Sequence, residues 1–212
     1  MKKTFSSFTI IGEAWDLFVI HKQFFLKNTL VFGLISVVAN SMAVQHSTKV
    51  IDVVLHIVSS ISSWYAMVVL IKGSLWITSG KILTEDVYNF TVGSVISLIV
   101  GSLLVALGTV IGIVFFFIPG IVFFIRSYLT HYVILDTDLG AYASLKRGLG
   151  LTQGYFWSIA RLTGCFMVLA ILSVFPLFGL GFILLFPVMI LANTRVYRIL
   201  STNQNQIPQP LV

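Results

Sequence analysis

Arg126 closes a run of fifteen uncharged residues, "IGIVFFFIPGIVFFI" at 111–125, and its chemistry needs the most explaining. A guanidinium carries five N–H donors in a planar fork that fits a carboxylate or a phosphate. Within an apolar stretch it costs about 2.5–3.5 kcal/mol even on the lenient insertion scale, so it requires partners or a route to an interface. Asp52 and His56 are spaced i,i+4, which puts both on one face of a helix. The expected site is therefore an intramembrane polar cluster of Arg126, Asp52 and His56. Two alternatives stand beside it: an arginine that caps the carbonyls at a helix end, or one that snorkels outward to lipid phosphates.

Other chemistry is sparse. Asp136 and Asp138 invite a carboxylate-pair reading, but a cap at the start of a basic helix explains them more simply, with Asp138 as the N-cap. His21, His46 and His131 lie far apart in the chain, so no metal site is implied. Cys165 stands alone in an apolar run, which rules out an intrachain disulfide and reads as a small core residue. There is no Gly-x-Ser-x-Gly, no glycine-rich phosphate loop and no His-Glu-x-x-His. The expectation is a protein that is not an enzyme and uses no cofactor.

The elements that must position Arg126 follow from composition. Apolar residues make up 58% of the 212-residue chain and charged residues 9%, against about 25% charged in soluble proteins. A mean hydropathy of +1.01 means that most of the surface faces something other than water, so the fold is all-α and membrane-spanning. Crossing about 30 Å of hydrocarbon takes about 20 apolar residues, and six stretches qualify: 24–44, 50–71, 90–118, 119–135, 157–175 and 177–196. The first is read as a retained span rather than a cleaved leader. Residues 90–135 as one helix would be about 69 Å long, so the Pro119-Gly120 pair must reverse the chain. Pro119 then sits near the first turn of the second helix and Gly120 supplies freedom in φ. "FPLFGLG" at 175–181, with Pro176 and Gly179, repeats the device.

The basic residues support this count. With both termini cytoplasmic, Lys2, Lys3, Lys22, Lys27, Lys72, Lys81, Lys146, Arg147, Arg161, Arg195 and Arg198 gather at the inner face, and Lys49 alone falls outside. The net charge of +6 is then topology and attraction to anionic headgroups, with Lys146, Arg147 and Arg161 forming an inner basic surface. Nucleic acid is not an expected partner.

Two amphipathic stretches, 8–22 and 139–153, read as interfacial helices. In the first, Ile10, Ile11, Ala14, Trp15, Phe18 and Val19 share a face; in the second, Ala141, Leu145 and Leu149 line up, and Gly154 can stop the helix. Each leads to a span through an aromatic pair, Phe24-Phe25 or Phe156-Trp157, which suggests an internal duplication. Gly93, Ser97, Gly101, Gly108 and Gly112 fall on one face of the third span and permit close helix packing. Residues 1–200 form one domain, and the polar tail 201–212 reads as disordered.

"FFFIPGIVFFIRSYLTHYVI" followed by "AYASLKRGLGLTQGYFWSIARL" resembles the signature of the bacterial six-span inner-membrane proteins of the YciC type. It is also similar to the membrane domain of some glycerophosphodiester phosphodiesterases. Pro119, Gly120, Arg126, Leu145, Leu151, Thr152, Gly154 and Trp157 match that pattern, whereas Gly148 and Ser144 depart from it. The resemblance implies a bacterial inner membrane and no particular activity, and no phosphodiesterase catalytic residues are present. The function expected is an accessory or scaffold protein of the envelope. Its partners would be anionic lipid headgroups, another membrane protein or a second copy of itself. The alternative is a small permease or lipid- and anion-handling transporter built on the intramembrane arginine. In a Cys165→Ala background, Ile118→Cys should react with an impermeant maleimide on intact cells, and Lys146→Cys only after permeabilisation. The reverse pattern would invert the topology.

Overall fold

The computed structural model describes residues 5–45, 49–177 and 180–205. Helix α1 (Ser7–Ile20) leads into the hairpin of α2 (Lys22–Gln45) and α3 (Lys49–Thr78). A 3-10 turn at Glu85–Tyr88 precedes α4 (Val92–Phe115), which folds back through α5 (Phe117–Ser127) and α6 (Thr130–Thr137). After α7 (Ala141–Leu151) comes the last hairpin, α8 (Phe156–Leu177) and α9 (Leu180–Asn205). Six segments are long and apolar enough to cross a bilayer: α2, α3, α4, α5 with α6, α8 and α9. The protein is thus an all-α polytopic membrane protein. Gly179 lies outside the described residues, as does His46, so the second Pro/Gly turn is described no further.

The Pro119-Gly120 reversal forms, but not by the backbone freedom expected of Gly120. The chain turns at the extended residue Phe116, and Pro119 occupies the first turn of α5, where its missing N–H costs nothing. Among the described residues Gly80 and Gly154 are the glycines with positive φ; Gly120 is helical. Its need is space. A Cβ on Gly120 would lie 2.4 Å from the Ile113 nitrogen, and one on Gly112 would lie 2.7 Å from the Gly120 Cα, so α4 and α5 touch backbone to backbone. Gly108 and Gly101 of the same stripe receive Phe123 and Ile134, whereas Gly93 faces open space and Ser97 is half-buried.

The fourth span is two helices, not one. Ser127 Oγ donates to the Phe124 carbonyl at 3.2 Å and Thr130 Oγ1 to the Ser127 carbonyl at 2.6 Å, and such back-bonding competes with the helix ladder where α5 gives way to α6. At the far end, α9 continues to Asn205, so residues 201–205 of the polar tail are helical.

The buried core is concentrated at one end of the hairpins. Phe25 near the start of α2, Leu70 and Leu75 late in α3, Ile159 and Leu162 early in α8, and Leu191 and Val196 around the middle of α9 pack together. Glu13 of α1 meets Arg195 of α9 at 3.6 Å, which brings the two terminal helices to this same end. Toward the hairpin tips the apolar side chains face outward: Val50, Val53, Val114 and Phe115 are exposed. There the helices of a pair hold each other. In α2–α3 this involves hydroxyls, with Ser36 Oγ and Ser63 Oγ 2.9 Å apart and Ser62 Oγ donating to the Phe32 carbonyl.

Both amphipathic helices form, turned from the expected faces. In α1 the buried stripe is Ile10, Ala14 and Phe18, while Trp15 and Val19 stay exposed. In α7 it is Ala141, Ser144, Gly148 and Leu151; Leu145 and Leu149 are half-buried. Small residues face inward because α7 packs closely on α6, with Gly148 against Thr130. Gly154 adopts φ +85° as expected of a helix stop. The N-cap of α7 is Gly140 rather than Asp138, which instead ends α6 in the left-handed region and accepts a bond from Ser94 Oγ at 2.9 Å. Gly120→Val should lower the stability of the detergent-solubilised protein by about 1–3 kcal/mol, the usual size of a forced overpacking. Gly93→Ala should cost nothing, as read from thermal unfolding.

Candidate functional site

Arg126 lies in the last turn of α5, nine residues past Phe117 and so about 13 Å along the helix axis from the reversal. It does not assemble with Asp52 and His56. Its Nη2 donates to the Leu149 carbonyl in the last turn of α7 at 3.0 Å, and Thr152 Oγ1 closes the junction by donating to the Arg126 carbonyl at 3.2 Å. Asp52 sits in the first turn of α3, and its buried Oδ1 has no hydrogen-bond partner among the described residues; His56 is exposed. The physical reason is where α5 packs. Its partners are α4, α7 and α8, whereas α3 packs on α2, α9 and α6.

The helix-cap alternative is therefore realised. Carbonyls at a helix C-terminus carry partial negative charge and favour a cation by up to about 2 kcal/mol when partly buried. That is less than the 2.5–3.5 kcal/mol an arginine costs deep in a bilayer. The ion pairs among the described residues join Arg195 to Glu13 and Arg198 to Asp136, so no carboxylate neutralises Arg126. The guanidinium borders an open groove of about 450 Å³, lined also by Ile118, Pro119, Val122, Phe123 and Leu149. A cation with unused donors at the edge of an apolar groove can hold the acidic end of an amphiphile.

A second polar cluster was not foreseen. Asp136 is neither half of a carboxylate pair nor a helix cap. It receives Arg198 on both oxygens, Nη2 to Oδ1 at 3.0 Å and Nη1 to Oδ2 at 3.1 Å, and Tyr197 Oη donates to Oδ2 at 2.8 Å. Arg198 Nη2 also reaches the Leu75 carbonyl at 3.0 Å, so one guanidinium ties α3, α6 and α9 together. Lys72 is also spoken for. Its ammonium donates to the Asp86 and Asn89 carbonyls and lies over the rings of Phe90 and Trp76. The only sequence signal for either cluster was a charge close to the end of a span.

Ser102 Oγ and His131 Nε2 lie 2.8 Å apart and join α4 to α6. Among the described residues no carboxylate bonds the other ring nitrogen and no three His, Cys, Asp or Glu side chains group to hold a metal ion. Of the basic surface, Lys146 and Arg161 are exposed and Arg147 is half-buried. Cys165, expected in the core, is half-buried and lines a cleft with Arg161. The two aromatic pairs adopt one geometry: Phe24–Phe25 and Phe156–Trp157 both lie edge to face with centroids 5.3 Å apart. Comparison with protein-family models, with characterised proteins and with solved structures finds no match. Arg198→Leu leaves Asp136 with Tyr197 but no cation and should cost about 1–3 kcal/mol, whereas Tyr197→Phe, which removes one donor, should cost about 0.5–1.5 kcal/mol. Unfolding of the purified protein in detergent ranks the two.

Proposed function

We propose that this integral membrane protein is a non-enzymatic lipid-handling component of a bacterial cytoplasmic membrane, its termini in the cytoplasm, and that Arg126 receives the anionic end of a bilayer amphiphile. The observation that carries this reading is the Arg126 groove: a guanidinium without a carboxylate partner beside an open, apolar cavity. The chemistry selected is a phosphate or carboxylate attached to a hydrocarbon tail, because the fork fits the acid and Val122 and Phe123 suit the tail. The cytoplasmic placement of the termini rests on the basic residues gathered at that end, and the bacterial membrane on the YciC-type resemblance. The accessory or scaffold reading is second. It is favoured by the exposed apolar side chains at the hairpin tips, which a protein partner or a second copy could cover.

The test is native mass spectrometry of the full chain released from its membrane in mild detergent. Wild type and Arg126→Lys should retain an acidic lipid. Arg126→Gln should retain about 10–100-fold less, the effect of one charge-assisted hydrogen bond. Val122→Trp fills the groove while leaving the α7 cap intact, and should also lose the lipid. Retention of the same lipid at the same level in a folded Arg126→Gln protein would refute the assignment.

A further inference from the structure

Arg161, like Arg126, has no carboxylate partner among the described residues and borders an open cavity. In the second turn of α8, it is exposed, and its Nε donates to the Trp157 carbonyl one turn back at 3.3 Å. Neither ion pair among the described residues includes it. With Ser6, Ser7, Phe8 and Cys165 it lines a cleft of about 410 Å³ where the start of α1 meets α8. No hydrogen bond is made by the Ser6 or Ser7 hydroxyls among the described residues, so a cation and two free hydroxyls meet at one opening.

An apolar groove of about 390 Å³ adjoins that cleft, lined among others by Ile11, Trp15, Leu169, Leu172, Ser173 and Leu184. Phe8 and Ile11, one turn apart on α1, border one cavity each, as do the consecutive residues Cys165 and Phe166 on α8. From Arg161 to Ser173 the line of cavities follows α8 for about 18 Å, close to the ~15 Å depth of one leaflet's hydrocarbon. The polar groups stand at the end that carries the termini, where the exposed rings of Phe8, Trp15 and Trp157 suit a headgroup boundary.

We infer that these adjoining cavities form a site for one anionic phospholipid of the surrounding leaflet, its phosphate on Arg161, Ser6 and Ser7 and one acyl chain along α8 past Trp15. The inference stands apart from the Arg126 reading and involves none of its residues. Charge complementarity selects the occupant. With seven acidic residues against thirteen basic ones, a second copy of this chain has little with which to neutralise Arg161, whereas a lipid phosphate supplies the charge and the tail together.

Trp15 provides the readout. The full chain is reconstituted in phosphatidylcholine nanodiscs doped with phosphatidylglycerol or phosphatidylcholine brominated on the acyl chains. The quenching that Trp15→Phe removes is the signal from this groove. Brominated phosphatidylglycerol should reach half-quenching of that component at an about fivefold lower mole fraction than brominated phosphatidylcholine. Arg161→Gln, a change at an exposed side chain, should abolish the preference, while Arg126→Gln leaves it in place. Equal quenching by both lipids in the wild type would overturn the inference, as would a preference that survives Arg161→Gln. A Trp15 signal shielded from both lipids would mean that protein covers the groove, and displacement by inorganic phosphate that the site takes the free anion; either result overturns it.

Discussion

Inside hydrocarbon no water bonds an exposed peptide N–H or C=O, and each unsatisfied group costs several kcal/mol. Every crossing here is helical for that reason, and three departures from regular helix have local compensation. At the α4–α5 reversal the break is confined to Phe116, and the two helices then close up through Gly112 and Gly120. Where α5 gives way to α6, the hydroxyls of Ser127 and Thr130 bond to carbonyls one turn back. Where α7 ends, Arg126 and Thr152 take up its last carbonyls. The arginine is thus first an answer to the backbone problem, and its spare donors follow from answering it with a five-donor group.

The two ends of the molecule solve different problems. At the end bearing the termini, large side chains from several helices interlock, and Arg198 ties three helices through Asp136 and the Leu75 carbonyl. Away from that end, the α2–α3 hairpin is held within itself by serines and the α4–α5 hairpin by glycines. Lipid tails are as apolar as the side chains they would replace, so nothing drives the tips together in a bilayer. The core consequently lies toward one end, and apolar clefts open along the sides.

The arginines divide by the same logic. Arg195 and Arg198 meet carboxylates and act as ties between helices. Arg147, half-buried on α7, joins neither ion pair; Arg126 and Arg161 have carbonyl partners alone, and these two each border a groove. A cation that no carboxylate neutralises, next to space the protein leaves open, is the pattern on which both lipid assignments rest.

The spans, the hairpin at Pro119 and the gathering of basic residues at one end were legible in the sequence. Each depends on a quantity counted along the chain: apolar length against membrane thickness, a proline that cannot continue a helix, charges that stay out of hydrocarbon. Gly101, Gly108 and Gly112 of α4 were legible as a packing face for the same reason, since helical periodicity is a property of order alone, whereas Gly93 of the same stripe faces open space. What the order could not supply was which faces meet. Asp52 and His56 shared a face by spacing, yet α3 carries them away from α5. Asp138 looked like an N-cap and became the left-handed end of α6, and beside Ala141 the inward face of α7 is made by Ser144, Gly148 and Leu151 rather than by Leu145 and Leu149. Those outcomes were decided by the packing of helices distant in sequence, because a side chain's partner depends on the neighbouring helix's position and rotation, which no single segment encodes.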